Sequence, residues 1–342
     1  MKINPTPDPG WMQIETTEMH TCGEPLRVIT SGLPQIPGST MLEKRRFFRE
    51  NYDFIRTGLM FEPRGHADMY GAILTDPVTD DADAGVFFMH NEGYSTMCGH
   101  AVIALTRLLA ESEMGERRGN DRVIKLDAPA GRITTTASYR DKKIQKTTFE
   151  NVPSFVFLEG QEISTDSLGR IRFDIAFGGA FYAFVPAGQV KTELVPENFS
   201  RLIEAGREIK QAVMKAFSIE HPFEEDLGFL YGTIFTGPPV NKIHHSRNVC
   251  IFADGELDRF PTGTGVSARA AIHYAKGEWQ QEEPVIIESI LGTTMEVKIK
   301  EVVNYGPYRA VVPEVSGQAW YTGKSSFYFD PGDPLKEGFI LR

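Results

Sequence analysis

The sequence is poor in cysteine, in basic residues and in long apolar runs. Its three cysteines, Cys22, Cys98 and Cys250, are an odd number and contain no Cys-x-x-Cys pair, so they predict neither a disulfide framework nor a zinc knuckle. Aspartate and glutamate (46) outnumber lysine and arginine (36), and the formal charge of −10 argues against nucleic-acid and anionic-membrane partners. The longest apolar stretch, residues 175–185, is shorter than the roughly 18 residues that a membrane span needs.

Signals for export, for nucleotide binding and for serine hydrolysis are also missing. Residues 1–10 carry three prolines and no apolar segment, which is not the pattern of a secretory signal. With its reduced thiols, the chain is expected to be cytoplasmic. The glycines Gly263 and Gly265 have neither the third glycine of a dinucleotide fingerprint nor a Walker lysine. A Gly-x-Ser-x-Gly elbow is absent as well.

Short strand-like runs bounded by glycine, proline, aspartate or asparagine make up most of the chain, and four helical patterns interrupt them. Leu42–Met60 and Pro196–Ser218 have a 3.6-residue apolar period with charged outer faces, which is typical of amphipathic surface helices. His100–Leu109 and Gly265–Ala275 lack a polar face, which predicts buried helices. The sequence therefore predicts a mixed α/β (α+β) fold.

The two buried helices suggest an internal duplication. Similar glycine-bearing turns, Met97–His100 and Pro261–Gly265, precede them, and Cys98 and Thr262 stand 164 positions apart in a chain of 342. In a duplicated fold each half would be a curved sheet around one helix, with the two helix N-termini facing each other across a cleft. The residues alone leave open an unrelated pair of buried helices.

Cys98 is the first candidate for chemistry. It is expected at the N-cap or in the first turn of a buried helix, where free N–H groups and the helix dipole stabilise a thiolate and lower the pKa of the thiol. His100 supplies a second proton-active group two residues later. The alternative is a buried structural cysteine.

The segment Asp258–Gly265 is the second candidate. Its glycines and the helix start allow backbone N–H groups to bind an anion such as a carboxylate. Asp258, four residues before Thr262, is able to accept hydrogen bonds from an ammonium group. An ordinary turn aspartate is the alternative.

The histidines do not predict a metal site. His244 and His245 are expected on a strand, where adjacent side chains point to opposite faces and cannot chelate one ion together. His20 and Cys22 are spaced to share a face, but no third or fourth ligand lies near them in the sequence.

Eight motifs, in order along the chain from about residue 14 to the C-terminus, are those of one known family. They are His20–Pro25, Phe61–His66, Asp68–Gly71, Asn91–His100, Gly178–Tyr182, Asp258–Gly265, Glu314–Gly317 and Asp330–Leu335. Together they resemble the proline racemase family and, within it, the trans-3-hydroxy-L-proline dehydratases. One departure is Cys22, where relatives often have glycine; it adds a nearby thiol, and sensitivity to oxidation stays open.

The resemblance implies the fold of diaminopimelate epimerase. That fold has two pseudo-symmetric domains, each a barrel-like sheet around a central helix, with the active site between them. By resemblance the domains are expected at residues 1–155 and 156–325, with residues 326–342 returning to the first domain.

The resemblance also implies the reaction. In proline racemases two cysteines act as acid and base on opposite faces of the proline Cα; the first corresponds to Cys98 and the second falls at Thr262. Threonine cannot form an anion near neutral pH, so two-base epimerisation is expected to be disabled. The implied activity is that of a hydro-lyase in hydroxyproline degradation, which converts trans-3-hydroxy-L-proline to Δ1-pyrroline-2-carboxylate without a cofactor or metal.

The implied site contains two overlapping groups of residues. The catalytic group is Cys98, Thr262, His100 and Asp258, and the substrate-binding group is Gly99, His100, Asp258, Gly263, Thr264 and Phe252. The acid that protonates the departing hydroxyl stays open between His100, the Cys98 thiol and a water held by Thr262. The expected partner is the small molecule 3-hydroxyproline, and a homodimer stays open. The alternative functions are a proline racemase or hydroxyproline 2-epimerase, and a non-catalytic protein that binds proline analogues.

Overall fold

The structure, a computed structural model, describes residues 7–341. The first six residues of the proline-containing segment 1–10, and the expected domain ends at residues 1 and 342, lie outside this range. Among the described helices, none has both the length and the apolar character required to cross a membrane.

The elements fall into two series. The first contains β1 (Met12–Thr21), β2 (Glu24–Ser31), α1 (Met41–Met60), β3 (Gly71–Thr75), β4 (Ala84–Met89), β5 (Tyr94–Ser95), α2 (Gly99–Glu111), β6 (Glu116–Arg118), β7 (Asp121–Ala128), β8 (Gly131–Arg140) and β9 (Lys143–Glu150). The second contains β10 (Ser154–Thr165), β11 (Gly169–Phe177), β12 (Phe181–Pro186), α3 (Phe199–Ala216), β13 (Leu230–Gly237), β14 (Ser246–Phe252), β15 (Glu256–Leu257), α4 (Gly263–Ala275), β16 (Val285–Glu288), β17 (Thr294–Tyr305), β18 (Tyr308–Gly317) and β19 (Ala319–Phe329).

The two series follow the same path, which confirms the predicted duplication. Strand β2 pairs in parallel with β3 across helix α1, and β12 pairs in parallel with β13 across α3. Strand β4 pairs in parallel with β7 across α2, and β14 with β16 across α4. Parallel neighbours need such crossover connections, and here each connection contains one α-helix. The buried helices α2 and α4 are both 13 residues long.

The last two strands link the halves. Strand β18 pairs with β10 and thereby closes the second sheet on itself, and its other end pairs with β9 of the first half. Strand β19 pairs with β1 along its whole length, from Ala319 opposite Thr21 to Phe329 opposite Met12. The chain therefore returns to the first half, and the returning strand starts at Ala319, before residue 326. The domain limits 1–155 and 156–325 stay a prediction.

The four helices occupy two kinds of place. Helix α1 packs one face, which includes the fully buried Phe48, Ile55 and Leu59, in a core cluster with strand residues of the first half. Its N-terminus has a capping box between Thr40 and Glu43. Helix α3 packs similarly in the second half. Helices α2 and α4 instead share one core cluster, so the distinction between two amphipathic and two buried helices is confirmed.

The N-termini of α2 and α4 touch through two glycines. A Cβ added to Gly99 would lie 2.7 Å from Cα of Gly263, and a Cβ on Gly263 would lie 2.8 Å from Cα of Gly99. Backbone, rather than a flexible side chain, fills the space on each side. Glycine is therefore required at both positions for the helix starts to approach this closely.

We expect Gly99→Ala to lower the free energy of unfolding by about 1–3 kcal/mol, because the added methyl group forces two backbones apart. Urea unfolding followed by circular dichroism measures the change. Gly323→Ala is the matched control, since an added Cβ there meets no atom within 4 Å. Equal stability of the two variants would contradict the helix contact.

Candidate active site

A small cavity lies beside the contact between the two helix starts. All eight residues nominated from the sequence line it: Cys98, Gly99, His100, Phe252, Asp258, Thr262, Gly263 and Thr264. The structure adds five more lining residues: Tyr70, Met97, Tyr182, Tyr231 and Phe260. Residues more than 150 positions apart in the sequence thus meet in one small, largely buried space.

Cys98 is the N-cap residue of α2, as predicted, with extended backbone (φ −148°). It follows the short strand β5, and its side chain is 6% exposed. Its Sγ lies 3.1 Å from Nδ1 of His100. The backbone N–H of Ala101 and the hydroxyl of Tyr70 also form hydrogen bonds with the sulfur. The thiol therefore has three polar neighbours at the helix start.

The sequence predicted a lowered pKa for the Cys98 thiol, and in this structure that prediction is wrong. Burial, the largest cause, raises the pKa of this thiol well above its ordinary value, and the nearby carboxylates of Asp258 and Glu24 raise it further. The Ala101 N–H and the Tyr70 hydroxyl lower the pKa but do not compensate for the lost hydration. The thiol is accordingly protonated when no ligand is bound.

His100 is neutral. Burial lowers the pKa of its ring to about 3, and a hydrogen bond with the carbonyl of Pro25 acts in the opposite direction. A neutral imidazole has one donor and one acceptor nitrogen. His100 is therefore suited to orient the neighbouring thiol and to accept a hydrogen bond, but it does not supply a positive charge.

Thr262 is the N-cap residue of α4, the position that corresponds to Cys98 in the first half. Its backbone is left-handed (φ 67°), an uncommon and strained conformation for a β-branched residue. Its hydroxyl donates a hydrogen bond to Oδ2 of Asp258 at 2.7 Å. The two N-caps thus correspond in the duplication but differ in backbone conformation and in side-chain chemistry.

Asp258 presents a fixed carboxylate to the cavity. The N–H of Phe260 donates to its Oδ1 at 2.9 Å, while Thr262 holds the other oxygen. Burial raises the pKa of Asp258 to about 6, and these two hydrogen bonds limit the rise. The group is ionised at neutral pH and close to its titration range.

Glu24 supports this loop from the other half of the molecule and was not among the nominated residues. Its Oε2 accepts a hydrogen bond from the backbone N–H of Arg259 at 2.7 Å, and the Arg259 guanidinium pairs with Asp68 at 2.8 Å. Burial, followed by the charge of Asp258, raises the pKa of Glu24 well above its ordinary value. The one sequence signal that could have identified Glu24 as a site residue is its place in the His20–Pro25 motif. Its proximity to Asp258 arises only in the folded chain.

Three tyrosines were also missed, because aromatic residues in strand patterns are usually core. The Tyr70 hydroxyl is hydrogen-bonded with Ser95, and the Tyr182 hydroxyl lies 2.7 Å from Oγ1 of Thr264. The ring of Tyr231 stacks on Phe252 with 5.5 Å between the ring centroids. They give the cavity an aromatic wall with phenolic hydroxyls.

Among the described residues, the other cysteines and histidines do not line the cavity, but two of them lie directly behind it. The Cys250 thiol forms a hydrogen bond with Thr262, and the His90 ring packs against Tyr70, Tyr231 and Phe252. Cys22 occupies the turn between β1 and β2 with φ 54°, and Cys250 is fully buried, with its carbonyl accepting the N–H of Asp258. His244 and His245 precede β14 rather than lying on it, so the strand predicted to contain them starts later. His244 Nδ1 is 2.8 Å from Glu288. Within residues 7–341, no three or more metal-binding side chains cluster together.

Known proteins match this chain over nearly its whole length. A trans-3-hydroxy-L-proline dehydratase from Colwellia psychrerythraea is 50% identical over 333 residues, which cover 97% of this chain and 94% of that protein. The human trans-3-hydroxy-L-proline dehydratase is 41% identical over 347 residues, covering 99% and 97%. The crystal structure of a hydroxyproline epimerase from Agrobacterium vitis, with bound trans-4-hydroxy-L-proline, has a TM-score of 0.91 at 29% identity, covering 97% and 96%.

These comparisons confirm the predicted fold class, in which two similar halves enclose one site. The family model described as proline racemase matches residues 16–340. The chain belongs to the proline racemase family.

Proposed function

We propose that the chain removes water from trans-3-hydroxy-L-proline to form Δ1-pyrroline-2-carboxylate. The observation that carries this proposal is the unequal pair at the two helix starts, where one N-cap is Cys98 and the other is Thr262. A single thiol provides a base on one side of the cavity, and the threonine provides none on the other. The similarity to the Colwellia and human dehydratases supports the same reaction.

The substrate carboxylate binds at the two helix starts. The first N–H groups of a helix have no intrahelical acceptor, and the dipoles of α2 and α4 both place positive potential at the cavity. The N–H groups around Gly99, His100, Gly263 and Thr264 are therefore the binding groups. As the carboxylate gains enolate character its charge grows, so this interaction favours the transition state.

The ring ammonium binds between Asp258 and His100. Asp258 supplies the negative charge, and the neutral His100 supplies an acceptor nitrogen. An ammonium group that keeps its charge makes the adjacent Cα–H more acidic. Its positive charge also favours the thiolate form of Cys98, offsetting the burial that keeps the thiol protonated in the empty site.

Cys98 then removes the Cα proton, and the C3–O bond breaks. The electron pair from the Cα–H bond forms the new double bond, and the resulting enamine tautomerises to the cyclic imine. One base is sufficient because departure of the hydroxyl consumes the carbanion. Epimerisation would require a proton from the opposite face, where Thr262 has no ionisable group near neutral pH.

The position of the hydroxyl decides which substrates react. A leaving group must be β to the carbanion carbon, so a hydroxyl on C3 is expelled and a hydroxyl on C4 is not. We expect purified protein to convert trans-3-hydroxy-L-proline, but not trans-4-hydroxy-L-proline, to an imine that reacts with o-aminobenzaldehyde. Cys98→Ser is the control variant, and it should retain the fold and less than a tenth of kcat/KM, a loss of more than about 1.4 kcal/mol. Imine formation from the 4-hydroxy isomer would overturn the mechanism.

A second expectation concerns Thr262→Cys, which places a thiol opposite Cys98. In D₂O with a reductant, this variant should form deuterated D-proline from L-proline, because an acid now faces the second side of Cα. The lost hydrogen bond from the hydroxyl to the Asp258 carboxylate costs about 1.5–3 kcal/mol. Thr262→Ser keeps the hydroxyl and should form no D-proline. If the wild type forms D-proline as fast as Thr262→Cys, Thr262 does not decide between elimination and epimerisation.

A third expectation is a fall in kcat/KM as the pH drops through about 6. Below this value Asp258, whose pKa burial raises to about 6, becomes protonated and loses the charge that binds the ring ammonium. The measurement is kcat/KM for trans-3-hydroxy-L-proline from pH 5 to pH 8. Asp258→Asn should have low activity without this step. A wild-type profile that stays flat between pH 5 and pH 7 would remove Asp258 from ammonium binding.

A further inference from the structure

The hydroxyl of Tyr231 is a buried polar group for which the protein supplies no partner of ordinary geometry. The side chain is 9% exposed, its ring lines the cavity, and its oxygen has no hydrogen bond of ordinary geometry within residues 7–341. Its one polar contact among these residues is a weak interaction with the Tyr70 hydroxyl. The other two phenols of the cavity are engaged, Tyr70 by Ser95 and Tyr182 by Thr264. Buried hydroxyls without partners are rare and destabilising, which points to a partner on the ligand.

The hydroxyl of Tyr231 is close enough to the Cys98 thiol for the two groups to interact electrostatically. Tyr70, Tyr182 and Cys98 are among the groups whose charges act on it, and Tyr70 in turn forms a hydrogen bond with Cys98. Stacking on Phe252 and an edge contact with Tyr182, with 5.9 Å between the ring centroids, fix the direction of the Tyr231 ring. The phenol is therefore held in place on the wall of the cavity that adjoins the thiol.

The stereochemistry of the substrate requires a donor on that side. In trans-3-hydroxy-L-proline the hydroxyl is on the ring face opposite the carboxylate, and the Cα hydrogen is also on that face. The leaving hydroxyl and the proton removed by Cys98 thus share one face of the ring. With the carboxylate at the helix starts and the ammonium at Asp258, the hydroxyl is the substrate group that still needs a partner.

We propose that Tyr231 binds the 3-hydroxyl and protonates it as it leaves, a role that rests on the dehydratase function proposed above. The Cα–H bond breaks and its proton passes to Sγ of Cys98, while its electron pair forms the Cα–C3 double bond. The C3–O bond breaks, and the departing oxygen takes the phenolic proton to leave as water. The Cys98 thiol then returns its proton to the phenolate, which restores the thiolate and the phenol of the substrate complex. The proton that the thiol releases to solvent when the substrate binds is taken up again when the product leaves, so no other reactant is needed.

The environment of Tyr231 is consistent with this order of events. Burial, the largest cause, raises the pKa of the phenol well above its ordinary value, so the hydroxyl is protonated when the substrate arrives. Transfer becomes favourable only when the bond to C3 breaks, because the departing hydroxide is a far stronger base than the neutral 3-hydroxyl. General acid catalysis of this kind typically contributes about 10²–10⁴-fold.

The experiment compares two leaving groups in Tyr231→Phe. Dehydration of trans-3-hydroxy-L-proline should fall at least 100-fold in kcat/KM, because hydroxide leaves poorly without a proton. Chloride leaves without one, so release of chloride from trans-3-chloro-L-proline should stay within about threefold of the wild-type rate. Exchange of the Cα hydrogen of L-proline in D₂O, which involves no leaving group, should be similarly unaffected.

Tyr182→Phe is the matched control, since it removes a phenolic hydroxyl from the same cavity that already has a protein partner. It should change dehydration and chloride release by the same factor. The proposal would be overturned if Tyr231→Phe kept more than a tenth of the wild-type dehydration activity. It would also be overturned if dehydration, chloride release and Cα-hydrogen exchange all fell by the same factor. A wild-type protein that exchanges the proline Cα hydrogen but does not dehydrate the 3-hydroxy substrate would instead overturn the proposed function.

Discussion

The contact between Gly99 and Gly263 is the constraint on which the site depends. It brings the positive ends of two helix dipoles together, an arrangement that is unfavourable unless negative charge lies nearby. Asp258 supplies part of that charge from the protein. In the proposed mechanism a substrate carboxylate supplies the rest, because the two helix starts favour an anion where they meet.

Burial has the same effect on each ionisable group around this contact, since it favours the uncharged form. It raises the pKa values of Cys98, Glu24 and Asp258 and lowers that of His100. Of these, Asp258 is limited to a pKa of about 6 by two hydrogen bonds. In the proposed mechanism an amino-acid zwitterion therefore brings into the site the charges on which its own reaction depends. Because burial keeps the Cys98 thiol protonated, the proposed mechanism couples ionisation of the thiol to substrate binding.

The duplication places two equivalent helix N-caps at one cavity, and the differences between these N-caps make the two sides of the cavity chemically different. Both halves present an N-cap residue at the end of a 13-residue buried helix, yet one backbone is extended and the other left-handed. The strained conformation of Thr262 is maintained by its hydrogen bond to Asp258, and that loop is held in turn by Glu24 of the opposite half. A site that is nearly symmetric in its backbone thus has one base and different polar groups on its two sides.

The sequence by itself determined the class of fold, the four helices and the duplication, because apolar periodicity and helix-start signals are local. Its resemblance to the proline racemase family named the eight cavity residues. The sequence did not determine the sign of the Cys98 pKa shift or the places of Glu24 and Tyr231 beside the site. Those depend on how much water the packed halves exclude and on which distant strands meet, from β2 in one half to β13 in the other. Desolvation and contacts between residues 200 positions apart arise only when the chain is folded, and so the tertiary structure decided them.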